Sequence, residues 1–264
     1  MQHDRLIAIN GIKNLRDMGG YKSLNGGHIK WKKLYRSGRP SELDSEQHKD
    51  MAALNIDTVV DFRSAREKEN SPITWNNHWQ PDYREVPIGG NAAAWVKELF
   101  EKLSTSPFPA KELNDQFILA FQTIPIENVD GLRKLFDVLV DHSSDNTAAL
   151  FHCTAGKDRT GIAGALIMRA LNIHSDDIMA DFLMTNDAVD LKASSKELAE
   201  WASEKAGRAI DADAVLPLVG VKEDFLHAAY KTIDEKFGSM DQYLEKGMGL
   251  TPKRLETFRH NLLS

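Results

Sequence analysis

The chain has 264 residues, 42% hydrophobic and 27% charged, with a formal net charge of −6, a balance that fits a globular domain with room for a sizeable core. The acidic surplus excludes a general nucleic-acid binder, because displacing counterions from a polyanion takes a basic surface. A single cysteine excludes an intramolecular disulfide framework and any multi-cysteine zinc site.

In chain order, the opening "MQHDRLIAING" is charged and lacks a long apolar core, so it does not read as a cleaved signal peptide. Residues 9–38, "INGIKNLRDMGGYKSLNGGHIKWKKLYRSG", set two Gly pairs among short β-type runs, which predicts turns and small strands. Asn14, Arg16 and Asp17 are expected to tie this turn region to the sheet, and Gly19 and Gly20 to supply unusual backbone angles. "SELDSEQHKDMAALN" (41–55) carries a helix start, with Ser41 as the cap and Glu42 and Asp44 in the first turn. "IDTVVDF" (56–62) and "YREVPI" (83–88) are strand candidates. Residues 91–124 hold two amphipathic segments separated by "SPFP" (106–109); Trp95, Leu99 and Leu103 share a face in the first, Phe117, Phe121 and Ile124 in the second. "ENVDGLRKLFDVLVDH" (127–142) is an amphipathic helix, and "TAALFHC" (147–153) a nearly unbroken apolar run, the mark of a strand buried on both faces. "TGIAGALIMRALN" (160–172) follows as a helix with small residues that allow close packing, and 174–264 is mostly helical.

No repeat and no low-complexity linker interrupts the chain, so residues 1–264 read as one domain. Its most apolar stretch, "GIAGALIM" (161–168), is far too short to span a bilayer. A cytoplasmic protein is the default reading, with export that needs no cleaved signal left open; oligomeric state is not legible. Strands alternating with helices imply an α/β fold with a mainly parallel central sheet surrounded by helices. Ligands in such folds bind beyond the carboxyl ends of the strands, and "HCTAGKDRTG" (152–161) lies at such a point.

That loop leaves a buried strand and enters a helix whose N-terminus offers unpaired N–H groups and a positive dipole end, a site for a phosphate dianion. Ala155 and Gly156 let successive N–H groups curl inward as a nest, and the planar fork of Arg159 can hold two phosphate oxygens. Cys153 at the base of this field is expected to be a thiolate, since such placements lower a cysteine pKa from ~8.5 to roughly 3.5–7.5. His152 and Thr160 could assist, by ordering the loop and by donating a hydroxyl to the sulfur. The implied reaction has two steps: in-line attack of the thiolate on phosphorus as the alcohol or phenol leaves, then hydrolysis of the phosphocysteine by water. It needs no metal and no cofactor. The bland alternative, Cys153 as a small buried hydrophobe, does not account for Gly, Arg and Thr at this spacing. A Walker loop is excluded because Asp158 follows Lys157.

"HCTAGKDRTG" resembles the His-Cys-x5-Arg-Thr signature of cysteine-dependent protein tyrosine phosphatases. "NLRDMGGY" (14–21), "LYRSGRPSEL" (34–43), "VVDFRSAREKE" (59–69) and the ending "FGSMDQYLEKGMGLTPKRLETFRHNLL" (237–263) resemble the motifs of the bacterial family that includes secreted mycobacterial and listerial lipid and protein phosphatases. The resemblance implies a cysteine phosphatase fold and a phosphate loop from Cys153 to Arg159, so that Thr154, Ala155, Gly156, Lys157 and Thr160 line the substrate. Lys157 also suggests phosphoinositide headgroups beside phosphorylated proteins as substrates, because an extra cation can hold an extra ring phosphate.

The general acid stays open among three aspartates. The resemblance favours Asp61, at the carboxyl end of a strand, against a bland reading as an ion-pair partner of Arg63 or Arg66. Asp158 in the loop is the second candidate, and Asp82 of "WQPD", a near-miss to the Trp-Pro-Asp loop of eukaryotic relatives, the third. The insertion 91–125 suggests a helical lid over the site. Two other classes compete with a phosphatase. One is a phosphate-recognition module without turnover, which has no use for a nucleophile; the other is a rhodanese-like sulfur-handling enzyme, which the Arg159–Thr160 pair and the upstream motifs disfavour.

Overall fold

The computed structural model describes residues 4–89, 98, 101, 110–142 and 146–264. Its five-stranded sheet has the order β1-β2-β5-β3-β4, formed by β1 (Arg16–Asp17), β2 (Leu34–Ser37), β3 (Ile56–Asp61), β4 (Asp82–Glu85) and β5 (Ala148–His152). All pairings are parallel except β1 with β2, as the alternation of strands and helices requires. The last three residues of the expected 83–88 strand lie past β4, yet Val86 N–H still donates to Asp61 O at 2.9 Å and Ile88 N–H to Phe62 O at 3.0 Å.

Every side chain of β5 is buried, and successive ones serve opposite faces. Ala149 and Phe151 join a large cluster, while Ala148 and Leu150 join a smaller one with Tyr35, Val59, Met51 and Trp79. This two-sided burial is what the unbroken apolar run requires. Over the smaller cluster lies α1 (Ser45–Ala53). Its cap is Asp44, which accepts from Gln47 N–H while Gln47 returns a bond to Asp44 N–H. Ser41 is therefore not the cap: its hydroxyl donates to Ser71 O at 3.2 Å, and Glu42 sits before the helix at φ 65°. The reciprocal Asp44–Gln47 capping box satisfies two orphan N–H groups, more than Ser41 offered.

Helices α2 (Ala65–Asn70), α3 (Ala110–Glu127), α4 (Val129–Asp141) and α5 (Asp158–Ala170) follow in turn, then α6 (Ser175–Leu183), α7 (Leu191–Ala206), α8 (Leu216–Val219), α9 (Glu223–Phe237) and α10 (Pro252–Leu262). In α4, Leu132, Leu135, Phe136, Leu139 and Val140 are buried, the single apolar stripe its sequence spells. In α5 the glycines permit close approach: a Cβ on Gly161 would stand 2.8 Å from the Phe182 ring, and one on Gly164 3.0 Å from Arg36.

Of the expected lid, Trp95, Leu99, Leu103 and "SPFP" lie outside the described residues. The second segment forms α3, and Phe117, Phe121 and Ile124 are buried in the core. Phe117 and Phe121 pack on Phe225 of α9 with ring centroids 5.8 and 5.3 Å apart. Gly20 adopts φ 84° as expected, whereas Gly19 serves close contact: a Cβ there would meet Trp31 Cα at 2.5 Å.

Candidate active site

The parallel register aligns Ser37 of β2, Asp61 of β3 and His152 of β5 along one edge of the sheet. Cys153 follows immediately and is buried, at 2% exposure. The loop then turns through Gly156 at φ 71°, where a Cβ would stand 2.5 Å from Gly38 N. Only glycine fits that backbone and that contact. Asp158 opens α5, so the N-terminal N–H groups of that helix adjoin the loop.

Arg159 reaches back across the loop. Its Nη2 donates to Glu67 Oε1 at 2.6 Å and its Nη1 to Glu67 Oε2 at 2.9 Å, with longer bonds from Nη1 to Phe62 O and Ile88 O at 3.3 and 3.5 Å. Glu67 also accepts from the Thr154 hydroxyl, so one carboxylate fastens both ends of the loop. The same carboxylate closes a capping box on α2 through Ser64 N–H at 2.9 Å. Burial alone would raise the Glu67 pKa, but Arg159, Thr154 and the Ser64 amide outweigh it and bring it down to about 2. Burial likewise opposes the Arg159 charge, and Cys153 and Glu67 outweigh it, holding that pKa above the usual arginine value.

Lys157 is buried, with Nζ donating to Asp158 Oδ1 at 2.9 Å, Pro217 O at 3.0 Å and Gly220 O at 3.2 Å. The ammonium also lies 4.3 Å from the centroid of the Phe117 ring. It is turned toward α8 and its following turn, so its charge fastens the loop to the 217–220 backbone. Ala155 is exposed and Thr154 partly so. The Thr160 hydroxyl is fully buried and has no hydrogen-bond partner among the described residues, so a bond to the Cys153 sulfur is not formed in this conformation. His152 is buried, with Nδ1 donating to Cys153 O at 3.1 Å. Burial lowers its pKa despite Asp61, which leaves the ring neutral.

The three candidate acids stand in different places. Asp61 is fully buried. Its oxygens accept from Arg63 N–H at 2.8 Å, Arg63 Nη2 at 2.8 Å, Arg63 Nε at 3.0 Å and Tyr83 OH at 2.6 Å. Burial raises its pKa, but the bonds from Arg63 and Tyr83 leave it below the ordinary carboxyl value. Asp158 sits in the loop itself, a quarter exposed, beside Lys157. Asp82 is at the amino end of β4, exposed and paired with Arg84 at 2.6 Å. With Thr58 opposite Asp82 and Asp61 opposite Glu85, Asp82 is three residues back from the site edge, about 10 Å at ~3.3 Å per residue.

Sequence reasoning missed Glu67, although Ser64 and Glu67 spell a capping box that marks a helix start. It expected Asn14, Arg16 and Asp17 to tie the N-terminal turn to the sheet, and Arg16 and Asp17 do pair with β2 as β1. Beyond that, Asn14 Nδ2 donates to Gly156 O at 2.8 Å, inside the loop, and Arg16 Nε to Asp181 at 3.1 Å. Among the described residues no three His, Cys, Asp or Glu side chains gather into a metal-ligand set, and no helix is long and apolar enough to cross a membrane.

A sequence profile of the tyrosine phosphatase family matches residues 7–264. A Cupriavidus necator protein assigned as a tyrosine-protein phosphatase is 32% identical over 250 residues, 94% of this chain and 85% of that protein. The triple specificity protein phosphatase PtpB of Mycobacterium tuberculosis is 29% identical over 256 residues, covering 88% of this chain and 91% of its own. A tyrosine-protein phosphatase of Nostoc commune is 25% identical over 234 residues, 85% and 71% of the two chains.

Proposed function

The chain belongs to the tyrosine phosphatase family, and from that premise we propose how its residues share the cysteine-dependent hydrolysis. The Cys153 sulfur attacks phosphorus, forming an S–P bond as the P–O bond to the leaving group breaks; water then attacks phosphorus and the S–P bond breaks, releasing phosphate. The observation that carries this reading is the grip of Glu67 on Arg159. Glu67 occupies one edge of the guanidinium, and the remaining Nη1 contacts are backbone carbonyls. The edge made of Nε and the second Nη2 proton is left to receive two phosphate oxygens. Inward loop amides and the α5 N-terminus stabilise the equatorial oxygens as charge develops.

Asp158 is the general acid in this reading. It is part of the loop and open to a leaving group, whereas Asp61 is ionised and enclosed by Arg63 and Tyr83. Asp61 then holds Arg63 and Tyr83 in place, and Asp82 has no part.

The substrate range we propose includes phosphoserine, phosphothreonine and phosphoinositides beside phosphotyrosine, supported by likeness to a relative named for triple specificity. A ring phosphate drawing on Lys157 would have to compete with Pro217 O and Gly220 O for its ammonium.

The test is aryl phosphate hydrolysis in excess EDTA by wild type, Cys153→Ser and Asp158→Asn, with leaving groups of increasing basicity. Turnover is expected in wild type and lost in Cys153→Ser. Asp158→Asn is expected to lose more rate as the leaving group becomes more basic. Uniform loss across leaving groups would remove Asp158 from the acid role. Phosphate binding without turnover in wild type would favour a recognition module.

A further inference from the structure

Beneath the phosphate loop lies a charged cluster that the reaction as described leaves unused. Arg16, Arg36 and Asp181 are buried at 0%, 0% and 1% exposure. Arg16 Nε donates to Asp181 Oδ1 at 3.1 Å, Arg16 Nη2 to Asp181 O at 2.8 Å, and Arg36 Nη1 to Asp181 Oδ2 at 2.7 Å. The other arm of Arg36 reaches the loop: Nη2 donates to Gly156 O at 3.2 Å, where Asn14 Nδ2 also donates. Two buried guanidinium groups thus share one carboxylate, and Arg36 Nε, also buried, has no hydrogen-bond partner among the described residues. A surplus buried cation is costly unless an anion compensates it. The anion the fold provides for is the one the loop holds, the Cys153 thiolate or a bound phosphate. Burial and the neighbouring Arg16 lower the Arg36 pKa to about 10, against the opposing pull of Asp181 and, last, of Cys153.

We propose that Asp181 and Arg36 are positioning residues, which fix the Gly156 carbonyl from below and set a surplus buried cation against the phosphate loop to favour the thiolate. Gly156 O is the lever. Two donors hold that carbonyl, and the φ of 71° at Gly156 is the left-handed geometry that a nest of successive N–H groups uses. Asp181 touches no substrate; it holds Arg36 and Arg16 in register across 145 and 165 residues of sequence. Other ionisable groups also face Cys153 or its neighbours: Arg159 with Glu67, His152 with Asp61, and Lys157 with Asp158 in the loop. Tyr21 and Arg5 stand against Asp181. None of these changes in the variants below.

The proposal rests on Cys153 as the nucleophile, and its test reads the thiol directly, so the two can fail separately. Cys153 alkylation by iodoacetamide is followed against pH in wild type, Arg36→Gln and Asp181→Asn, beside kcat for an aryl phosphate. Arg36→Gln removes a cation and is expected to move the alkylation midpoint up by about one pH unit or more; Asp181→Asn removes an anion and is expected to move it down. Both are expected to lose at least about tenfold in kcat. A purely structural role would move both midpoints the same way or not at all, and either result overturns the proposal. If a variant fails to fold, the wild-type Arg36 Nε resonance serves instead: it must shift in step with the Cys153 titration, and a resonance indifferent to that titration also overturns the proposal.

Discussion

Glu67→Gln is the most informative change outside Cys153. Glutamine keeps the capping geometry of α2, since either Glu or Gln completes a capping box with Ser64, so the helix is expected to persist. What is lost is one of two charge-assisted bonds to Arg159, at 2.6 and 2.9 Å, because an amide NH2 now faces a guanidinium. A hydrogen bond to a charged group contributes about 1.5–3 kcal/mol. With both side chains partly open to water, at 15% and 25% exposure, the lower half of that range applies. A loss of about 2 kcal/mol in the orientation of Arg159 corresponds to about 30-fold in kcat/KM. The assay is steady-state hydrolysis of an aryl phosphate, with circular dichroism to show that the fold is intact. A kcat/KM within about twofold of wild type in a folded variant would refute Glu67 as the anchor of Arg159. The same pair gives a pH signature. The Glu67 pKa falls from 4.5 to about 2 on folding, so its contribution is complete above pH 4.5 and lost as pH falls toward about 2. The stability gap between wild type and Glu67→Gln is expected to close across that window in acid unfolding; a gap that stays constant contradicts the assignment.

Gly156→Ala places a Cβ 2.5 Å from Gly38 N on a backbone of φ 71° and is expected to cost about 3 kcal/mol or more of stability, with at least about 100-fold in kcat, measured by denaturant unfolding and steady-state kinetics. Lys157→Met removes the Nζ bonds to Pro217 O and Gly220 O; a loss of about 2–4 kcal/mol is expected, seen as a lower unfolding midpoint, and an unchanged midpoint would show the latch to be idle. Asp61→Asn weakens the bonds to Arg63 and Tyr83, so it is expected to lose stability and to slow turnover equally for all leaving groups, in contrast to Asp158→Asn.

The parts of this molecule that could be read from sequence are those whose signal is local. The unbroken apolar run of β5, the stripe of α4 and the glycines of α5 each report their own burial, because a residue's periodicity encodes the faces it covers. The strand–loop–helix turn at 152–161 was legible for the same reason, since the strand, Gly156, Arg159 and the helix start are contiguous. Ser41 misled because two cap-type residues, Ser41 and Asp44, compete within four positions, and the reciprocal bond from Gln47 decides between them. What escaped is held by contacts between distant segments. Glu67 and Arg159 are 92 residues apart, and Arg16 and Asp181 165 apart. No local pattern marks Asp181 as anything but a polar residue on a helix. The direction of Lys157 was equally hidden, because a lysine in a phosphate loop points to its ligand or to the protein according to which carbonyls lie nearby, and here they come from residues 217–220.

The central claim is that Cys153 bonds covalently to phosphorus. The direct measurement is rapid acid quench of the protein during turnover of an aryl phosphate, followed by mass spectrometry of the peptide that carries residues 151–161. The expected result is one added phosphoryl group on Cys153 in wild type, more of it when water attack is slowed, and none in Cys153→Ser, which is also inactive. Sustained turnover by Cys153→Ser, or turnover by wild type with the phosphoryl group on another residue, would contradict the account.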